Sequence, residues 1–323
     1  MMQKNMKQKI VSLKNSVSGF SLIELMVSMA IGMFLIAGVF SVFVNSNDSR
    51  QAVEAEVKML DDARFALDVI AYDLRHAGLW GRLKEPDFVD ISAVGAIAGE
   101  CAAGWTIDVS KPVFAYDDPA GVAPYASCGG SFYANGGDVV EMRYTMWQPI
   151  AALSAGTVYL NGDANQAKFH ISDNTISLSS VAKNYRFVAN AYYVRSWSDV
   201  AGDGIPSLHQ LSLQPGTGAP VVVDNLILSG VENLQIQYGM DMNGDGSVNQ
   251  YVSPGDAAMD WSKVVTAQVW LIVRSLNYNM GMDTSKVFVA PPFTGGQISY
   301  ASDGYKRQML STVVQLRDSA SVY

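Results

Sequence analysis

The sequence predicts an α+β fold, with one long N-terminal α-helix, membrane-spanning in its first half, packed on a mostly antiparallel β-sheet domain. Three observations predict it. Residues 20–44 form a run of 25 with one charge, Glu24, and no proline, longer than the roughly 20 residues a helix needs to cross a bilayer. Beyond it Val53, Val57, Leu60, Ala63, Leu67, Ile70, Leu74 and Ala77 recur three or four apart, the stripe of a helix with one buried face. After Gly78, a residue suited to end a helix, alternating segments follow one another between turn residues with no helical period among them, the pattern of an antiparallel sheet.

The elements follow in order. Lys4, Lys7, Lys9 and Lys14 precede the apolar run, with no acid in the first 19 residues, which places that end in the cytoplasm and the rest outside. A cleaved secretory signal is the competing reading, but it needs a shorter apolar core and a small-residue cleavage site. Within the run Glu24 stands out. An ionised carboxylate in hydrocarbon costs about 2.5–3.5 kcal/mol, so this residue needs a partner or a purpose. Further along, Glu54, Asp61, Asp62 and Arg64 fall off the apolar stripe and read as a solvated face.

The strand signal begins at residues 139–146, "VVEMRYTM", where Val140, Met142, Tyr144 and Met146 share one face and Glu141, Arg143 and Thr145 the other. Further strands are expected at 185–197, 221–230, 231–239, 264–275 and 307–317. Turns are expected at "NGD" (161–163), "AGDG" (201–204) and "PPFTGG" (291–296). Residues 82–137, rich in Gly, Ala and Pro, predict a variable surface loop or small subdomain. Both cysteines, Cys101 and Cys128, lie there, and in an exported protein a disulfide between them is expected, two reduced thiols being the alternative.

Of the 323 residues 49% are apolar and 16% charged, which fits a folded chain. Without the first 19 residues 18 basic residues face 30 acidic ones, which argues against nucleic acid as a partner. No catalytic arrangement is visible. His76, His170 and His209 form no HxxxH pair, and neither a GxSxG elbow nor a phosphate-cradling GxxxxGK[ST] loop occurs. His76, at the helix end, suits the dipole there.

One polar cluster has metal-ligand spacing: "DMNGDGSVNQYV", residues 241–252. Asp241, Asn243 and Asp245 alternate as oxygen donors, Gly246 permits a sharp turn, Ser247 offers a carbonyl and Asn249 a direct or water-mediated contact. Calcium is therefore the candidate cofactor. Val252 stands where an EF-hand has its bidentate glutamate, so Asp256 or Asp260 would have to complete the sphere. A Gly/Asn/Asp hairpin loop that binds nothing is the competing reading.

The stretch "GFSLIELMVSMAIG" resembles the processing site of type IV prepilins: a short basic leader ending in Gly19, then Phe20, then Glu24 four residues on inside an apolar helix. The resemblance implies that prepilin peptidase cuts between Gly19 and Phe20, that the new Phe20 amine is methylated, and that the apolar span stays on the mature protein. It also implies a role for Glu24 in assembly. Its carboxylate would pair with the Phe20 amine of a neighbouring subunit and set the register, since a buried charge is tolerable beside its opposite.

Later segments extend the likeness. "DARFALDVIAYDLRHAGLWG", "VENLQIQYGMDMNGDGSVNQY", "DWSKVVTAQVWLIVRS" and "YKRQMLSTVVQLR" look like successive blocks of the PilW family of type IV pilus minor pilins, with the weakest cover over residues 82–225. That family is similar to the J-type pseudopilins of type II secretion. The resemblance implies a pilin-like fold with a leader (1–19), a membrane and filament-core helix (20–44), its amphipathic continuation (45–78) and a β-rich periplasmic or extracellular domain (79–323). It implies a non-enzymatic subunit, held in the inner membrane and then built into the pilus, that helps to initiate assembly near the tip. The implied partners are other minor pilins, the major pilin, the inner-membrane assembly platform, prepilin peptidase and a tip adhesin. The alternatives are a type II secretion pseudopilin, or a signal-anchored periplasmic enzyme or calcium-dependent binding module.

Overall fold

The computed structural model describes residues 19–83, 89–95, 97–100, 104–117, 137–172, 176–278, 283–293 and 296–316. Helix α1, Leu22–His76, runs for 55 residues, and no proline interrupts it. Its start carries one half of a capping box: Ser21 precedes the first turn, and its N–H donates to Glu24 Oε2 at 3.3 Å. At its end Arg75 and His76 suit the negative pole of the helix. Gly78, with φ of 85°, then turns the chain away.

The chain forms two units that divide between Glu54 and Ala55. In the first, the apolar side chains of α1 are exposed, Phe20 and Phe34 at 82% and Leu22 at 77%. This helix is long and apolar enough to cross a membrane. In the second unit α1 buries Ala63, Ala66, Leu67, Ile70, Ala71 and Leu74. The short alanines let the helix approach closely. The apolar stripe thus holds from Ala63 onward, whereas Val53 and Val57 stay exposed.

Fourteen strands are described: β1 (Val89–Asp90), β2 (Val113–Tyr116), β3 (Val139–Ile150), β4 (Val158–Gly162), β5 (Ala167–Ile171), β6 (Lys183–Arg195), β7 (Ser207–Pro215), β8 (Pro220–Ser229), β9 (Val231–Met240), β10 (Gln250–Val252), β11 (Val264–Arg274), β12 (Lys286–Val289), β13 (Gln297–Tyr300) and β14 (Arg307–Gln315). The larger sheet runs β1-β5-β4-β6-β3-β2, with β7 also on β6 and β8 on β7. β6 is long enough to host two partners along one edge, β4 against residues 183–186 and β7 against residues 190–195. A second sheet runs β10-β9-β11-β14, and β12 pairs with β13. All these pairs are antiparallel except β1–β5.

The main core joins the buried face of α1 to both sheets, through Val140, Met142 and Tyr192 of the larger and Leu234, Ile236, Val269 and Leu271 of the smaller. Each such side chain contributes about 1.5–3 kcal/mol by its burial. A second core lies around Phe169, Phe187 and Tyr193 and is closed by Trp80, Val94, Ile97 and Trp105. Val94, Ile97 and Trp105, in the described part of the stretch expected as a surface loop or small subdomain, are therefore part of a layer over the sheet.

This second layer corrects the reading of residues 139–146. Glu141, Arg143 and Thr145, expected on a polar face, are buried. Arg143 donates to the Glu141 carboxylate, to the Trp105 carbonyl and, at 2.6 Å, to the Lys111 carbonyl. With both faces of the sheet covered, alternation distinguishes one interior from the other. Strands β1, β2, β4, β5, β7, β10, β12 and β13 lie outside the expected set. The expected turn at "NGD" falls later, because Asn161 and Gly162 end β4 and Asp163 makes the turn by accepting from the N–H groups of Asn165 (2.9 Å) and Gln166 (3.2 Å).

Candidate functional site

At the N-terminal junction Gly19 and Phe20 are exposed. A side chain added at Gly19 would meet nothing within 4 Å. The Glu24 carboxylate lies at the helix start, against the Ser21 N–H, and Ser28 Oγ donates to the Glu24 carbonyl at 2.7 Å. The capping role of Glu24 was legible in the spacing "SLIE", a signal the apolar context obscured. Residues 1–18 fall outside the described residues, as do Cys101 and Cys128.

The loop between β9 and β10 gathers the five residues of the candidate calcium site into one closed turn. Asp241 Oδ1 accepts from the N–H groups of Asn243 (3.1 Å) and Gly244 (2.7 Å), and Oδ2 from Gly246 (2.6 Å). Asn243 Nδ2 donates to Asp245 Oδ2 at 3.0 Å, Ser247 N–H to Asp245 Oδ1 at 2.8 Å, and Met242 N–H to Asn249 Oδ1 at 2.6 Å. The loop is held by its own side chains. Asp256 and Asp260 are engaged locally, by the Ala258 N–H and by Ser262. Among the described residues no group of three His, Cys, Asp or Glu could hold a metal ion.

The Gly246 N–H above all, then those of Gly244 and Asn243, holds the Asp241 carboxyl below the usual carboxylate range. A lowered carboxyl supports the fold above its unfolded value and stops doing so as pH falls through the folded one. The Gly244 and Gly246 amide resonances are therefore expected to stay fixed down to the ordinary carboxylate range and to move only in stronger acid. In Asp241→Ala they are expected to start displaced and to show no such transition.

Two buried clusters were invisible in the sequence. Asp73, on the buried face of α1, accepts from Tyr144 Oη (2.8 Å), Asn190 Nδ2 (2.6 Å) and Tyr192 Oη (2.7 Å), pinning the helix to the larger sheet. Burial first, and then the Asp73 carboxyl, pushes both phenols well above the usual tyrosine range. They remain donors.

The second cluster has the order of a nucleophile, base and acid: Ser207 Oγ lies 3.0 Å from His209 Nε2, and His209 Nδ1 lies 2.9 Å from Asp224 Oδ1. Its surroundings give it a structural part. Ser207 is fully buried and donates to the Trp197 carbonyl at 2.7 Å, whereas a nucleophile must meet its substrate. Asp224 also receives Arg195 (2.6 Å) and Tyr193 (3.0 Å). Burial pushes the Asp224 carboxyl up, but His209, Tyr193 and Arg195 together hold it below the usual range. His170 faces Asn184 Oδ1 at 3.0 Å, and His76 Nδ1 faces the Tyr72 carbonyl at 2.7 Å, as suits a residue closing a helix.

Residues 191–318 match the family Type IV Pilus-assembly protein W, and residues 14–40 match the prokaryotic N-terminal methylation motif. The chain thus carries a PilW domain behind an N-terminal methylation motif. It is also similar to a type IV-like pilin from Thermus thermophilus, at 12% identity and a TM-score of 0.34 over 81% of this chain and 96% of that one. No curated protein matches it significantly.

The PilW domain runs from the end of β6 to β14 and contains the Asp241 loop, the His209 cluster and the whole smaller sheet. A third buried cluster closes it. Glu232 on β9 accepts from Arg307 on β14 at 2.5 and 2.9 Å, and Arg274 on β11 lies 3.6 Å away. Arg307 also holds Asp303 at 2.8 and 2.5 Å, and this bond chiefly lowers the Asp303 carboxyl to about 2.

Proposed function

We propose that this protein is a minor subunit of a type IV pilus that helps to initiate assembly and sits near the tip. One observation carries the reading: a methylation motif and a PilW domain occur in one chain, and the motif lies on a helix whose first part is apolar and exposed. Such a surface is stable in lipid or against other helices. Leu22, Ile23, Leu25, Val27, Ile31, Leu35 and Ile36 exchange one environment for the other at little cost, because lipid tails are as apolar as leucine.

On this reading prepilin peptidase cuts between Gly19 and Phe20, and the Phe20 amine is methylated. The subunit waits in the inner membrane with its globular unit in the periplasm, then enters the filament with other minor pilins and the major pilin above the assembly platform, below a tip adhesin. It does no chemistry of its own. Mass spectrometry of the mature N-terminus tests the reading. N-methylated Phe20 is expected; an intact leader, or a cut beyond Val39, refutes it. Recovery in sheared pili separates this subunit from a type II secretion pseudopilin.

Gly19→Leu gives a second test. Since the position is open, the fold is expected to be unchanged while the leader stays attached, visible as a larger band in membranes. Normal processing of that variant would rule out the junction.

A further inference from the structure

We propose that the outer edge of β14 is a docking site for an extended, uncharged strand from a different pilin-class subunit, an inference that rests on the assembly role above. β14 ends the smaller sheet. It pairs with β11 through nine consecutive residues, from Thr266 with Gln315 to Arg274 with Arg307, without a register shift. The ladder continues at both ends, where Leu316 N–H donates to the Val265 carbonyl (2.9 Å) and Ser275 N–H to the Lys306 carbonyl (2.8 Å).

Bonded residues alternate along an antiparallel strand. Gln308, Leu310, Thr312 and Val314 therefore turn their N–H and C=O groups toward β11, and Met309, Ser311, Val313 and Gln315 turn theirs outward. Among the described residues no backbone group bonds to these four on the outward side. Ser311, Val313 and Gln315 are exposed, Val313 at 54%.

Proteins ordinarily blunt such an edge with lysine, proline, a bulge or a short strand. β14 has none of these: residues 308–316 contain no charge and no proline. The comparison with β8 is instructive, since that edge carries Asp224, a register shift opposite Leu208 and His209, and a bridge from Val221 to Ala98. β14 is thus the long edge left able to accept a strand. Main-chain bonds would supply the affinity and the flanking side chains the selection. Met309 and Val313 favour apolar neighbours, and Arg307, the one charge in the strand, is already neutralised by Glu232 and Asp303, so an acidic strand finds no cation there. Two copies joined edge to edge would close into a two-fold dimer that cannot grow, and a head-to-tail pair of copies would need a second long open edge, which the described strands do not offer. The occupant is accordingly a different subunit.

The test uses full-length protein purified from membranes, alone and co-expressed with the other pilin-class subunits of the same assembly. Amide exchange at Met309, Ser311, Val313 and Gln315 is expected to be fast in the protein alone and at least about tenfold slower in the complex. Ser311→Pro removes an outward N–H and spares the β11 ladder. It is expected to leave the melting temperature unchanged and to weaken co-purification about tenfold. Fast exchange in the complex overturns the proposal. Slow exchange in the protein alone also overturns it, a monomer meaning that the chain covers its own edge and a dimer that a second copy does. If no pilin-class subunit co-purifies with the unaltered protein, the assembly role falls and the docking site with it; if subunits co-purify and the edge stays fast, the docking site alone falls.

Discussion

Asp73→Ala is expected to lower the stability of the globular unit by about 3–5 kcal/mol, because it leaves three buried donors without their acceptor at once. Tyr144 Oη, Asn190 Nδ2 and Tyr192 Oη all converge on this one carboxyl, and each orphaned group retains its desolvation cost. Tyr192 keeps one bond, from Gln210 Nε2 at 2.6 Å, and Tyr144 has no such reserve among its described hydrogen bonds. At about 2–4 °C per kcal/mol for a unit of this size, the melting temperature should fall by roughly 10 °C. Tyr144→Phe, which removes one bond and leaves Asp73 with two donors, should cost only about 1 kcal/mol. Thermal unfolding followed by circular dichroism reads both. An unchanged melting temperature in Asp73→Ala would mean that the carboxyl does not anchor the helix. The ratio of the two effects is a second check, since equal losses would place the energy in the Tyr144 contact rather than in convergence on Asp73.

The cluster also shows what a sequence hides. α1 was legible because its stripe is local: each apolar residue lies three or four from the next, and a proline-free run continues it. Asp73 sits within that stripe, where a charged residue looks like an exception, and the partners that explain it are 71, 117 and 119 residues away. The same holds for Glu232 and Arg307, 75 residues apart. Strands β3, β6, β8, β9, β11 and β14 were legible from β-branched and aromatic alternation. β7 was not, since "SLHQLSLQP" carries serine and histidine into buried positions, and polar residues there are tolerated only through partners such as Asp224 on β8. β4 was missed for a different reason, because "NG" at its end has the composition of a turn. In the candidate sites, the Asp241 loop and the N-terminal junction depend on residues a few positions apart, so their composition announced them. The buried clusters depend on sheet register, which no short window contains.

Glu24 is expected to govern assembly through its charge, and Glu24→Gln separates that role from capping. The capping box needs only a side-chain oxygen at this position to accept the Ser21 N–H, and glutamine supplies one. The Ser28 bond goes to the Glu24 backbone carbonyl and is indifferent to the side chain. Glu24→Gln should therefore leave the helix start intact, while Glu24→Ala removes both the cap and the charge. After cleavage at Gly19, a charged Phe20 amine from a neighbouring subunit would enter a dry helical bundle, and leaving such a group without its counter-ion costs about 3–5 kcal/mol. Both variants are accordingly expected to be cut between Gly19 and Phe20, as read by the mass of the mature protein, and to reduce incorporation into sheared pili more than about tenfold. Incorporation retained by the glutamine variant and lost by the alanine variant would assign Glu24 to the helix cap. Incorporation retained by both would remove the carboxylate from assembly altogether. If both variants fail, a carboxylate that costs energy in lipid is kept for the cation that proteolysis creates, and the same residue that makes the single subunit less comfortable in the membrane draws it into the filament.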